Sequence, residues 1–87
     1  MKIPRTFQLA GIVWTVEEVD GMTEQGLCES EMAKIKLRKG LPAQVKLAAF
    51  CHELEHAILF AMGKTEHDER EVDAHGNLLH QFLTTYR

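Results

Sequence analysis

The stretch that decides the reading of this chain runs from Ala43 to Met62, AQVKLAAFCHELEHAILFAM. Its apolar residues recur at helical spacing, with Val45, Leu47, Ala48, Phe50, Leu54, Ala57, Ile58 and Ala61 on one broad surface. Pro42 suits a first helical turn, and Gly63 suits a C-terminal cap with Lys64 at the negative end. Inside this helix lies His52-Glu53-Leu54-Glu55-His56, an H-E-x-x-H pattern. Positions i and i+4 share a helix face, so both imidazoles can reach one metal ion. Glu53 is the next residue round, placed to meet a water at that metal, while Glu55 is expected to point away into solvent. By average composition the pattern arises by chance at roughly one position in some tens of thousands. Its placement on a helix marks an expected zinc site.

Downstream, Asp68 and Glu71 have the spacing of a capping box, and Thr65 or Asp68 would cap a second helix running to about Thr84. The short connection makes the two helices antiparallel neighbours. Upstream, the chain alternates. With Ala10-Gly11 as a two-residue hairpin turn, Leu9 opposes Ile12 and Phe7 opposes Trp14, and Val16 continues the same face. Asp20-Gly21 ends that hairpin. A second pair of strands is expected over Leu27-Cys28-Glu29 and Ala33 to Lys39, joined by Ser30-Glu31-Met32. In the latter, Ile35 and Leu37 point one way while Lys34, Lys36 and Arg38 form a solvated, cationic face that discourages aggregation. The order is ββββαα, an α+β fold with a small antiparallel sheet packed on two antiparallel helices.

The length of 87 residues, 45% of them apolar, gives one domain (residues 1–87) with a modest core that a bound metal would help to hold. A net charge of −3 and a pI near 5.9 speak against a nucleic-acid or anionic-membrane surface. The first residues lack a signal-peptide h-region and the longest apolar run, Ala57 to Met62, is too short to cross a bilayer. With two cysteines in unlike settings, Cys28 and Cys51, reduced thiols and a cytoplasmic location are expected.

Two histidines leave a catalytic zinc one protein ligand short. On the second helix Glu69, Asp73, Gly76 and His80 make one continuous polar face, while Val72, Leu79, Phe82 and Leu83 account for the others. Glu69 is the preferred third ligand, with His67, Glu71, Asp73 and His80 as rivals. Asp73, one turn on, could accept the free N–H of His52 or His56 and fix its tautomer. His75 falls near the Val72/Leu79 face, as a packed or hydrogen-bonded histidine.

His52-Glu53-x-x-His56 followed by Glu69-x-x-x-Asp73 resembles the gluzincin pattern H-E-x-x-H…E-x-x-x-D. The small size and ββββαα order look like the minimal zincin core of the ImmA/IrrE and SprT-like metallopeptidases, and residues 41–82 are similar to short phage- and prophage-encoded metallopeptidases. Carried over, the resemblance implies His52, His56 and Glu69 as zinc ligands, Glu53 as general base and Asp73 as their support. It implies peptide hydrolysis in a bacterial or phage-infected cell, with His75, His80 and Tyr86 as candidate oxyanion donors. A polypeptide substrate or partner would lie along the strand Ala33 to Lys39 as a sheet edge. The competing reading is a non-catalytic, zinc-stabilised protein-binding module of phage or prophage origin. Against it, a purely structural site needs no carboxylate at position 53.

Overall fold

A computed structural model describes residues 2–86. Strand β1 (Thr6–Leu9) turns at Ala10-Gly11 into β2 (Ile12–Val19). Both turn residues have positive φ, 50° and 79°, the twist that a tight antiparallel hairpin demands. The register is the one the alternation predicts, Leu9 opposite Ile12 and Phe7 opposite Trp14. The Phe7 and Trp14 rings stack 6.1 Å apart, and Phe50 meets Phe7 edge-on at 6.2 Å. That aromatic cluster ties the hairpin to the first helix.

The other two strands depart from expectation. β3 (Gly26–Glu29) and β4 (Lys34–Arg38), joined by a 3₁₀ turn over Ser30–Met32, do pair antiparallel. β4, however, also runs parallel to β2, so the sheet is mixed and its order is β1-β2-β4-β3. The loop after Val19 carries the chain past the position of β4 to the far edge before it returns. The reason lies in burial: Ile35 and Leu37 on β4 are fully covered and claim a central place, whereas β3, short and opening on a glycine, takes the rim. The strand Ala33 to Lys39 is therefore flanked on both sides and cannot be a docking edge. Its cations are engaged too, Lys34 with Glu17 at 3.6 Å, Lys36 with Glu29 at 3.0 Å and Arg38 with the Thr23 carbonyl at 2.7 Å.

Helix α1 (Ala43–Ala61) lays Leu47, Phe50 and Ala57 on the core formed with Trp14, Ile35 and Leu37. It ends at Met62 in a glycine cap: Gly63, at φ 83°, donates to Phe60 O and Lys64 donates to Leu59 O. This reverses the chain at once. Asp68 then caps helix α2 (Glu69–Thr85), its carboxylate accepting from the Arg70 amide at 2.9 Å. Val72 is fully buried and Leu79 and Leu83 reach the core, but Phe82 is largely exposed and stacks on Tyr86. No helix among the described residues is long and apolar enough to cross a membrane. Both cysteines are free thiols.

Candidate metal centre

The two helices pack closely where α2 carries Gly76. A Cβ there would stand 3.2 Å from His52 Cα and 3.3 Å from its amide nitrogen. The missing side chain lets the N-terminal half of α2 lie against the H-E-x-x-H segment, and that contact brings Glu69 and Asp73 onto the histidines.

His52 Nε2 lies 3.5 Å from Glu69 Oε2, and His56 Nε2 lies 3.3 Å from Glu69 Oε1. One ligand atom from each of His52, His56 and Glu69 falls within 4.8 Å of the others, a group that could hold a metal ion. The other imidazole nitrogens are also engaged. His52 Nδ1–H donates to Asp73 Oδ1 at 2.9 Å, which fixes the ring with Nε2 turned toward Glu69. His56 Nδ1 faces His67 Nδ1 at 2.6 Å, and His67 Nε2–H donates to the Lys64 carbonyl at 2.8 Å. Three electron-pair donors thus converge on one point, an arrangement that repels itself unless a cation or a proton sits among them. Burial holds the His56 imidazole below its ordinary pKa, and its imidazole neighbours press the same way against the pull of Glu69.

Glu53 is the one charged residue buried among those described, at 8% exposure. Desolvation pushes its carboxyl pKa up; nearby His52 pulls the other way, and Glu69 adds to the rise. Room for this side chain comes from β3: a Cβ on Gly26 would stand 2.9 Å from Glu53 Cγ and 3.2 Å from Oε2. Two open clefts meet along this wall, each lined by Gly26, His52 and Glu53. One, of about 390 Å³, extends toward Asp73 and Asn77; the other, of about 440 Å³, extends toward Cys28, His56 and His67. Burial, helped by the charge of Glu53, pushes the Cys28 thiol up to about 12, so it lines the cleft as a neutral group. A cleft of about 470 Å³ at the other end of α1, beside Arg5 and Leu47, is larger, but its Lys46 is already paired with Glu18 at 2.7 Å and no ligating group converges there.

The sequence-derived residues thus divide. His52, Glu53, His56, Glu69 and Asp73 come together. His75 does not: its Nδ1 meets Glu55 Oε2 at 3.1 Å on another side of the helix pair, and the Glu55 side chain is largely covered rather than free in solvent. His80 shares the helical face of Glu69 but lies about 16 Å further along the axis, and Tyr86 about 25 Å. His80 Nε2 is buried without a hydrogen-bond partner, and Tyr86 is exposed. None of the three reaches the trio. Gly26 and Asn77 were not singled out by the sequence, and His67 figured there only as a rival ligand. The Gly63 cap, which turns the chain straight back over His56, was the signal for the part it plays.

No protein-family model, curated protein or solved structure matches this chain. The fold and the site alone therefore define its class, a mixed-sheet α+β domain in which three side chains that could hold a metal ion gather beside a buried carboxylate.

Proposed function

We propose that the protein is a zinc-dependent peptide hydrolase of the gluzincin type, with His52, His56 and Glu69 as ligands and Glu53 as general base. The observation that carries this reading is the buried Glu53 carboxylate beside two imidazoles whose Nε2 atoms both face Glu69. Two histidines and one carboxylate are the donor set of catalytic zinc sites that keep an open position, and among the described residues no fourth ligand joins them. When bound, zinc supplies Lewis acidity that polarises a carbonyl and makes water more acidic.

The chain's own groups do the rest. Glu53, its pKa raised toward the working range by burial, takes the proton from the attacking water and returns it to the departing amine. Asp73 holds the His52 ring in the ligating orientation. An extended polypeptide would add to the free edge of β3, the strand that borders the cleft, with Gly26 letting its backbone pass close over Glu53. A site of purely structural zinc gives no reason to bury a carboxylate at position 53 against its desolvation cost. That separates this proposal from a non-catalytic module.

Metal content and peptide hydrolysis, measured on wild type, Glu53→Gln and Glu69→Ala, test the reading. Near one zinc per chain is expected in wild type and in Glu53→Gln, with hydrolysis in Glu53→Gln down roughly 10²–10⁴-fold. Glu69→Ala should lose more affinity than the roughly 10–100-fold typical of losing an outer hydrogen-bond partner. A wild type that binds no zinc, or a Glu53→Gln variant as active as wild type, overturns it.

A further inference from the structure

The two imidazoles are supported by unlike partners. His52 has a carboxylate, which can only accept a hydrogen bond. His56 has another imidazole, which can do either and so settles nothing by itself. The ambiguity is resolved one step further out, by the backbone.

We propose that His67 is a positioning residue that locks His56 in the Nδ1–H form through a relay anchored on the Lys64 carbonyl. A carbonyl oxygen only accepts, so His67 Nε2, 2.8 Å from Lys64 O, carries the hydrogen. In a neutral ring the other nitrogen is then the acceptor, so His67 Nδ1 presents a lone pair. His56 Nδ1, 2.6 Å away, must therefore carry the hydrogen of that contact, and His56 Nε2 is left bare toward Glu69. The ring geometry agrees. The His56 and His67 centroids are 4.9 Å apart with planes inclined by only 21°, so the 2.6 Å contact runs between ring edges, as an in-plane N–H···N bond requires.

The anchor is itself fixed by the fold. Lys64 closes the glycine cap of α1 through the hydrogen bond its backbone N–H donates to Leu59 O, which sets the direction of its peptide. The His67 ring is held in place by Phe60, 4.4 Å away between centroids. The helix terminus thus dictates, through two imidazoles, which nitrogen of His56 can ligate. This assignment gains its functional meaning from the reading of His52, His56 and Glu69 as a metal site, yet the proton positions exist without metal.

Long-range ¹H–¹⁵N correlation spectra of the metal-free protein at pH 8 read those positions directly. Wild type should show the proton on Nδ1 of His56 and on Nε2 of His67. His67→Asn places an amide oxygen where Nδ1 stood and should keep His56 as Nδ1–H. His67→Phe keeps the packing on Phe60 but offers no acceptor, and should release His56 toward Nε2–H. In zinc competition titrations His67→Phe should bind roughly 10–100-fold more weakly than wild type, with His67→Asn recovering most of the difference. A wild-type His56 protonated on Nε2, or Phe and Asn variants that behave alike, overturns the relay. The predicted tautomers in a protein that binds no zinc would uphold the relay and overturn the metal-site reading instead.

Discussion

Helix α1 turns Leu47, Phe50 and Ala57 toward the sheet and His52, Glu53 and His56 toward the cleft, and burial means opposite things on the two sides. On the sheet side every covered group is apolar, and each gains from leaving water. On the cleft side the covered groups include the Glu53 carboxylate and the His56 imidazole, whose burial opposes their ionised forms. One helix therefore holds a stabilising face and a face that the rest of the fold must carry. The sheet side is where stability resides, and the cleft side is where the proposed chemistry would take place.

The largest effect that would test this division is on the sheet side. Phe50, 2% exposed and set against Phe7, is the biggest fully covered side chain of the core. Phe50→Ala should cost roughly 3–5 kcal/mol, a large part of the stability of so small a domain. Circular dichroism should then show Tm falling by at least about 15 °C. A fall under about 5 °C would mean that the apolar face is not where the stability lies.

This face was also the easier one to read. The hairpin register followed from alternation plus Ala10-Gly11, because period-two patterning and a turn with positive φ leave one pairing. The α1 apolar surface followed from its helical period. The place of β4 did not, since local pattern shows that Ile35 and Leu37 are inward but not which strands flank them. On the cleft side, the i, i+4 spacing gave His52 and His56, and the face continuing from Glu69 to Asp73 gave their partners. The same face reasoning misplaced His80, because a helical face fixes angle and says nothing about distance along the axis. His67 follows a chain reversal, where no helical spacing applies, and its role depends on the orientation of a single carbonyl.

Between the two sides lies the helix crossing at Gly76. Gly76→Ala gains up to about 1 kcal/mol in helix propensity. It also places a methyl 3.2 Å from the His52 backbone, which cannot yield as a flexible side chain would. Overpacking of this kind costs roughly 1–3 kcal/mol, so the sum favours a modest loss of stability. The more telling consequence is at the site. Glu69 and Asp73 ride on the helix that must move, so zinc affinity should fall in competition titrations although no ligand is altered. Unchanged affinity with lowered Tm would show the crossing to be structural only.

The smallest effect has the opposite sign and bears on the cleft face alone. Folding raises the pKa of Glu53, chiefly by desolvation, so its contribution to stability is greatest when it is protonated. That contribution is full below the ordinary value of 4.5 and is lost as pH rises through the raised folded value. At pH 8, where the unfolded chain ionises this carboxyl freely, the metal-free protein therefore keeps Glu53 buried at a cost, and Glu53→Gln, close in shape and uncharged, removes it. The variant should melt a few degrees above wild type at pH 8. The difference should shrink toward zero as pH falls below 4.5, where wild type folds with a neutral carboxyl of its own. Scanning Tm against pH for both proteins, with chelator present throughout, measures it. A Glu53→Gln variant that melts below wild type at pH 8 would make the carboxylate a stabilising group, and the contrast between the two faces of α1 would fail. A variant that is both more stable and inactive would tie them together, since the charge that the fold carries at a cost is the one proposed to move the proton.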